Sequence, residues 1–440
     1  MSGWNWKHRV ENPIPILAHD GGWETFGKRY RRDAKWVRRD IRRADNKHKR
    51  DNAVRRRDEM LSLYDEPRNL MAALVHLAKD EAKTAGPDGE TINGAIDGPM
   101  WYARCRELQR DLQQGKYTPG PALEIRVPKF AKPGTRELRI PNLIDRIVAR
   151  AIYQVMLPFL DPYFDKHSFG FRPIRSVEDA LRTAFRFTTP RRQIWVTHDI
   201  ADAFGSIPQR RLFDLLAWVP EPIRGIIAKL VCLQGKRGIA QGSPLSPLLL
   251  NVYLDRFVDR PWRERHARTP LLRYADDMLI ICGSEASGFQ MSSELREMLI
   301  PAGMHLPASS SSTVADLSRE QYCDWLGFTI RMYEGRPLAS FTPGAFRSLQ
   351  DALSKSRDHD NPQHSADSVW RGWLKAFRAT YAAYDENERV NVVAEIQTTF
   401  ERVGLKPPSS SRIHSYWRDR WLKVAGWNPL IKKAEPNAIA

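Results

Sequence analysis

Three carboxylates in the sequence could do chemistry together. Asp276 and Asp277 stand side by side in RYADDMLIIC (273–282), between Tyr274 and the apolar run Met278-Leu279-Ile280-Ile281. Adjacent like charges repel, and a short β-prone run of this kind belongs in a sheet. The pair makes sense at the tip of a β-hairpin that faces a cation. A third carboxylate, Asp199, closes the strand-like IWVTHDI (194–200), 77 positions before Asp276. A sheet that brings the three together makes a cluster of hard oxygen ligands. Such a cluster suits magnesium, which keeps several waters and accepts phosphate oxygens. Two such ions, with manganese as a substitute, stabilise the attacking and leaving oxygens of an in-line phosphoryl transfer. The reaction in view is attack of a nucleic-acid 3′-hydroxyl on the α-phosphate of a nucleotide. A single aspartate is more often a turn residue or a helix cap, so the weight lies on the three in context.

The elements that must position them follow from local patterns. Residues 66–116 read as helical, interrupted by the Gly- and Pro-marked loop AGPDGETING (85–94). EIRVPKFAKPGTRELRIPN (124–142) sets two short alternating segments around KPGTR and predicts a β-hairpin. LIDRIVARAIYQVMLPFLDPYF (143–164) spaces its apolar residues for a buried helix, and GSPLSPLLLNVYLDRFVD (242–259) reads as a helix opened by prolines. LLRYADDMLIICG is strand, turn, strand. SREQYCDWLGFTIR (318–331) ends in another strand, 343–405 is helical, and LKPPSSSRI (405–413) reads as a linker before a Trp- and Arg-rich tail. Strands interleaved with helices, without a regular βαβ repeat, indicate an α+β core followed by a helical region.

The bulk composition points to a polyanionic partner. The 440 residues carry a formal charge of +17, and nucleic acid is the partner such an excess predicts before a membrane surface. Residues 1–60 hold 17 Lys/Arg against 9 Asp/Glu, about half of the net excess. Much of it lies in RYRRDAKWVRRDIRRADNKHKRDNAVRRRDEM, which reads as a basic helix or an arm that orders on meeting phosphate. No run of about 18 uncharged apolar residues is present, so no membrane span is expected. Cys105, Cys232, Cys282 and Cys323 form no CxxC pair. Their scatter argues against a zinc knuckle and a disulfide framework and fits a reducing cytoplasm.

DIADAF (199–204), AQGSPLSPLLLNVYLD (240–255), RYADD (273–277) and CDWLGF (323–328) together resemble reverse transcriptases. The likeness is greatest to the bacterial group II intron-like type. AGPDG (85–89), the VPK…GTRELRIP hairpin (127–141), DRIVARAI (145–152), SFGFRPIRS (168–176) and WRGWLKAF (370–377) support it, over about residues 68–380. The resemblance implies a right-hand polymerase: a basic N-terminal extension (1–65), fingers with the start of the palm (66–193), a palm with the catalytic aspartates (194–340), and a helical thumb and C-terminal tail (341–440). It implies an RNA-directed DNA polymerase whose partners are a structured RNA template, a primer and deoxynucleoside triphosphates. Asp199 and Asp276 would be the metal ligands, Asp277 a third acid, and the Ile200 carbonyl a further ligand. Phe204 would lie under the sugar and reject a ribose 2′-hydroxyl; its alternative is plain core packing. Gln241 would line the incoming nucleotide's pocket. Lys129 and Arg136 would hold the triphosphate, Arg by forked hydrogen bonds and Lys as a point charge; the alternative for both is a surface charge. Arg172 would touch template or nucleotide.

Several features depart from that pattern. Ser310 stands about where the family has a lysine thought to protonate the leaving pyrophosphate, and Arg139 stands where intron enzymes commonly have glycine. The basic extension is long, and no Cys/His-rich nuclease module follows the C-terminal helices. Arg139 bears on the hairpin's fine geometry; the serine-rich stretch, the long basic extension and the missing nuclease module favour a domesticated enzyme, for instance an antiviral defence polymerase copying a noncoding RNA, over an intron-encoded maturase and reverse transcriptase. An RNA-binding scaffold with a relic palm is a third reading. In the tail, Trp417, Arg418, Arg420 and Trp421 suggest base stacking or, by preference, tryptophans closing a small core.

Overall fold

The computed structural model describes residues 22–80, 84–92, 96–128, 135–307, 313–319 and 321–422. Its element order is that of the expected α+β right hand. The basic N-terminal run forms two helices, α1 (Gly22–Arg43) and α2 (Lys47–Ser62). They pack against the helices at Pro67–Asp80 and Leu143–Leu160. Tyr30, Ala34 and Val37 recur every three or four residues and are all buried, the spacing of one helix face. The Tyr30 hydroxyl bonds the carbonyls of Met60 (3.0 Å) and Val155 (3.1 Å). Fingers helices α3 (Pro67–Asp80), α4 (Gly98–Gln113) and α5 (Leu143–Leu160) complete this layer.

Between α4 and α5 stands the expected hairpin, β1 (Leu123–Pro128) and β2 (Thr135–Ile140), paired antiparallel from Leu123 opposite Ile140 to Pro128 opposite Thr135. Arg139 is accommodated at a cross-strand position: it faces Glu124 in register and pairs with its carboxylate at 2.6 Å. An opposite-charge pair stabilises such a ladder, which explains why glycine is not required there.

Helix α6 (Val177–Phe187) leads into β3 (Ile194–Asp199). Short helices α7 (Ala203–Ser206) and α8 (Gln209–Leu215) follow, then α9 (Glu221–Val231) and the largely apolar α10 (Ser246–Leu254). A π-helical segment, Asp255–Asp259, joins α10 to α11 (Arg260–Arg265). Then come β4 (Leu271–Tyr274), β5 (Asp277–Cys282), α12 (Glu285–Leu299) and β6 (Thr313–Asp316). The palm sheet has the order β4-β5-β3-β6, with every pair antiparallel. Its faces alternate, as the pleat requires. Ile194, Val196, Met278 and Ile280 join α12 and the fingers helices in one core. Trp195, Leu272, Leu279 and Ile281 join a second core with α6.

That second core continues through a three-stranded meander, β7 (Cys323–Trp325), β8 (Phe328–Tyr333) and β9 (Arg336–Phe341). It ends in helices α13 (Ala345–Ser356), α14 (Pro362–Ala376), α15 (Glu386–Arg402) and α16 (Ser410–Leu422). Part of the expected linker, from Ser410 on, is therefore the first turn of α16. Trp417 and Trp421 are buried. Phe341 stacks on Trp373 at 5.1 Å and packs on Trp417 at 5.7 Å. The tail tryptophans thus close a core rather than offer faces for bases. No described helix is long and apolar enough to cross a membrane.

Candidate active site

The carboxylates meet where β3 ends and the β4–β5 hairpin turns. Asp199 is the last residue of β3, and its register partner is Asp277, the first residue of β5. Tyr274 pairs with Asp277 across the hairpin. The turn is therefore Ala275-Asp276, not the two aspartates, with Ala275 in the left-handed region at φ 59°. The Ile200 amide donates to the Asp276 carbonyl at 3.3 Å, which ties the end of β3 to this turn. One oxygen from each of Asp199, Asp276 and Asp277 lies within 4.8 Å of the others, and all three side chains are half-buried. Directly opposed like charges destabilise a ladder. Three carboxylate oxygens at this spacing form a donor set that fits a hard divalent cation. Burial, with the Asp277 charge beside it, pushes the Tyr274 hydroxyl up from its usual range.

A residue that local sequence patterns do not single out holds the turn from below. Arg273 is wholly buried. Its guanidinium reaches Asp259 Oδ1 (2.8 Å) and Oδ2 (2.5 Å), Asn251 Oδ1 (2.9 Å), Ser168 Oγ (2.8 Å) and the Ala275 carbonyl (2.9 Å). Asn251 comes from α10 and Asp259 from the π-helical segment. Such segments recur at functional sites. The only trace of the role of Arg273 in the sequence is an arginine inside a short apolar strand, next to the acidic turn; the partners it meets are not marked there.

Phe204 sits on α7, whose N-cap Asp202 takes φ 41°. It is buried, and its ring meets Phe171 edge-on at 6.3 Å. Gln241 lies against the fingers hairpin, and its carbonyl accepts from the Arg139 amide at 2.8 Å. The following Gly242 has φ 125°, and a Cβ there would collide with the Arg139 carbonyl, so only glycine serves. Arg136 is half-buried on β2 opposite Val127. Lys129 and Ser310 lie outside the described residues. Arg172, expected to touch template or nucleotide, is buried. Its guanidinium turns inward to Asp161 Oδ1 (2.7 Å) and to the carbonyls of Asp161 (2.9 Å), Asp165 (2.7 Å) and Ser168 (2.7 Å).

Part of the chain is similar to known proteins. Residues 127–330 match the family model described as reverse transcriptase (RNA-dependent DNA polymerase). Protein YkfC of Escherichia coli (strain K12) is 33% identical over 225 residues, covering 47% of this chain and 58% of that protein. Group II intron-encoded protein LtrA of Lactococcus lactis subsp. cremoris is 28% identical over 191 residues, 40% of this chain and 31% of that protein. The chain thus spans less than two thirds of the length of either relative. Among solved structures, telomerase from Candida tropicalis with a fragment of telomeric RNA aligns at a TM-score of 0.40 and 12% identity, over 76% of this chain and 67% of that one.

Proposed function

We propose, from the premise that residues 127–330 are a reverse transcriptase domain of the bacterial group II intron-like type, that the chain is an RNA-directed DNA polymerase. It adds deoxynucleotides to a primer 3′-hydroxyl on a structured RNA template. The observation that carries the reading is the meeting of Asp199, Asp276 and Asp277 within 4.8 Å at the strand ends of that domain.

Asp199 and Asp276, with the Ile200 carbonyl and Asp277, are the groups that would hold two magnesium ions, or manganese in their place. When bound, these ions supply Lewis-acid stabilisation to the attacking and leaving oxygens. The Phe204 ring lies against the sugar, and a 2′-hydroxyl has no room there. Gln241, braced by Arg139 on the hairpin, lines the nucleotide pocket. Lys129 and Arg136 bind the triphosphate.

The finer setting we infer is a domesticated enzyme, such as an antiviral defence polymerase that copies one noncoding RNA. A basic helical pair packed against the fingers helices suits a single fixed RNA partner. Likeness to LtrA favours a second setting, an intron-encoded protein. The DNA flanking the gene separates them: a ribozyme sequence around it, or a structured noncoding RNA beside it.

Primer extension on an RNA template, with magnesium and deoxynucleotides, tests the activity. Asp276→Ala/Asp277→Ala should lower product by about a hundredfold or more, as loss of ligands does at metal sites. Equal product from wild type and variant would retire the polymerase reading. An RNA-binding scaffold would then remain, with RNA affinity intact and no extension.

A further inference from the structure

The segment Ser168–Ser176 holds two bulky residues in the left-handed backbone region, Phe171 at φ 59° and Ile174 at φ 61°. Such a conformation costs free energy, and it persists only where the surroundings over-determine it. Around Phe171 they do. The Phe169 amide donates to the Arg273 carbonyl at 2.7 Å, beside the aspartate turn. The Gly170 carbonyl accepts from Asn251 Nδ2 at 2.8 Å. A Cβ at Gly170 would collide with the Ala275 amide, so the segment lies directly on that turn. On the other side, the inward guanidinium of Arg172 pins the chain through one carboxylate and three carbonyls.

Phe171 is thereby presented at one angle. Its ring, 39% exposed, stands edge-on to Phe204, 64° between planes. Phe204 rides on the four-residue α7, where the Ile239 amide bonds its carbonyl at 3.0 Å and fixes the backbone but not the ring. A ring excludes a 2′-hydroxyl only if it cannot swing aside, so the force that holds it sets the selectivity.

We infer that Phe171 is a specificity-determining residue: a buttress that fixes Phe204 relative to the aspartate turn and so sharpens the choice of deoxynucleotide over ribonucleotide. The inference rests on the reading of Phe204 as the sugar gate, and the test separates the two. The full chain is assayed for single-nucleotide incorporation opposite an RNA template, with kcat/KM measured for a deoxynucleoside and the matching ribonucleoside triphosphate. The variants are Phe171→Gly, Phe171→Leu, Phe171→Tyr, Phe204→Ala and Phe171→Gly/Phe204→Ala. Glycine accepts φ 59° without strain, which offsets part of the lost ring contact in Phe171→Gly; the thermal midpoint is measured alongside to show that every variant is folded at the assay temperature.

Phe171→Gly and Phe171→Leu should cut the deoxynucleotide preference roughly two- to tenfold, the worth of one edge-to-face ring pair. Phe171→Tyr should retain it. The double variant should fall no further than Phe204→Ala alone, because one ring acts through the other. A preference lowered by Phe204→Ala but untouched by Phe171→Gly overturns the buttress, and so do effects that multiply. A preference that survives Phe204→Ala removes the gate reading and this inference with it.

Discussion

At Arg273, one guanidinium meets five acceptors, with no solvent between them. Two belong to the buried carboxylate of Asp259, and one is the carbonyl of Ala275. The residue therefore has two separable effects. It neutralises a buried charge, and it fixes the backbone of the turn that carries Asp276. Arg273→Met leaves Asp259 uncompensated and should cost about 3–5 kcal/mol of stability. Arg273→Met/Asp259→Leu removes both charges and should recover most of that loss. Polymerisation should stay depressed in the recovered double variant, with a higher magnesium requirement, because the Ala275 carbonyl still lacks its donor. Denaturant melts and magnesium titrations of primer extension read the two effects apart. Full activity in a stable double variant would reduce Arg273 to a core residue. Asp199, Asp276 and Asp277 are legible as a set because strand patterning announces where each lies. Arg273 is not, since its role depends on a serine and an asparagine distant in sequence, and no local pattern encodes that.

The elements follow local rules up to a limit. The hairpin at 124–142, the palm strands and the buried helix α5 are all readable, since period-two and helical spacings are strong there. The N-terminal basic run reads equally well as an arm that folds on phosphate, because arginines crowd out the apolar signal. Three fully buried apolar positions, Tyr30, Ala34 and Val37, anchor α1 to the fingers, and such sparse spacing is easily lost among so many charges. Its outward face presents Arg29, Lys35 and Arg42, all exposed. Deleting α1 and α2 would uncover the apolar faces of α3 and α5 and confound any binding experiment. Neutralising Arg29, Lys35 and Arg42 to glutamine keeps the packing face. If this face meets phosphates, the slope of log affinity against log salt should shrink by about 2–3, nearly one for each phosphate no longer neutralised. Filter binding to a structured RNA at several salt concentrations measures it. An unchanged slope would place the RNA elsewhere.

Across the whole molecule, the palm sheet separates two cores, and β3 is a strand both share. Val196 faces the fingers core and Trp195 the thumb-side core, while Trp195 meets Trp325 edge-on at 6.1 Å. A perturbation in β3 should therefore be felt as global rather than local unfolding. His198 supplies one. It is buried between Thr197 and Asp199, and both ring nitrogens lack a hydrogen-bond partner among the described residues. Burial, with Arg296 adding to it, pushes its pKa down to about 4 from 6.5. Well above pH 6.5 the ring is neutral in both folded and unfolded chains, and its contribution is constant. Between pH 6.5 and 4 the unfolded chain takes up a proton that the folded chain refuses, so stability falls as pH falls. From about pH 7 to about pH 5 the loss from this one group should be about 2 kcal/mol. Replacing it by a leucine, His198→Leu, removes the titrating ring and should flatten the acid limb over that interval, while carboxylates still titrate below it. Denaturant midpoints at about pH 7, 6 and 5 make the comparison. The fingers and thumb signals should shift together in the wild type, because both cores rest on the strand that carries His198. An identical acid limb in both proteins would mean that the ring takes up its proton as readily in the fold as in the unfolded chain, and fingers and thumb signals that moved apart would mean that the two cores do not share its cost.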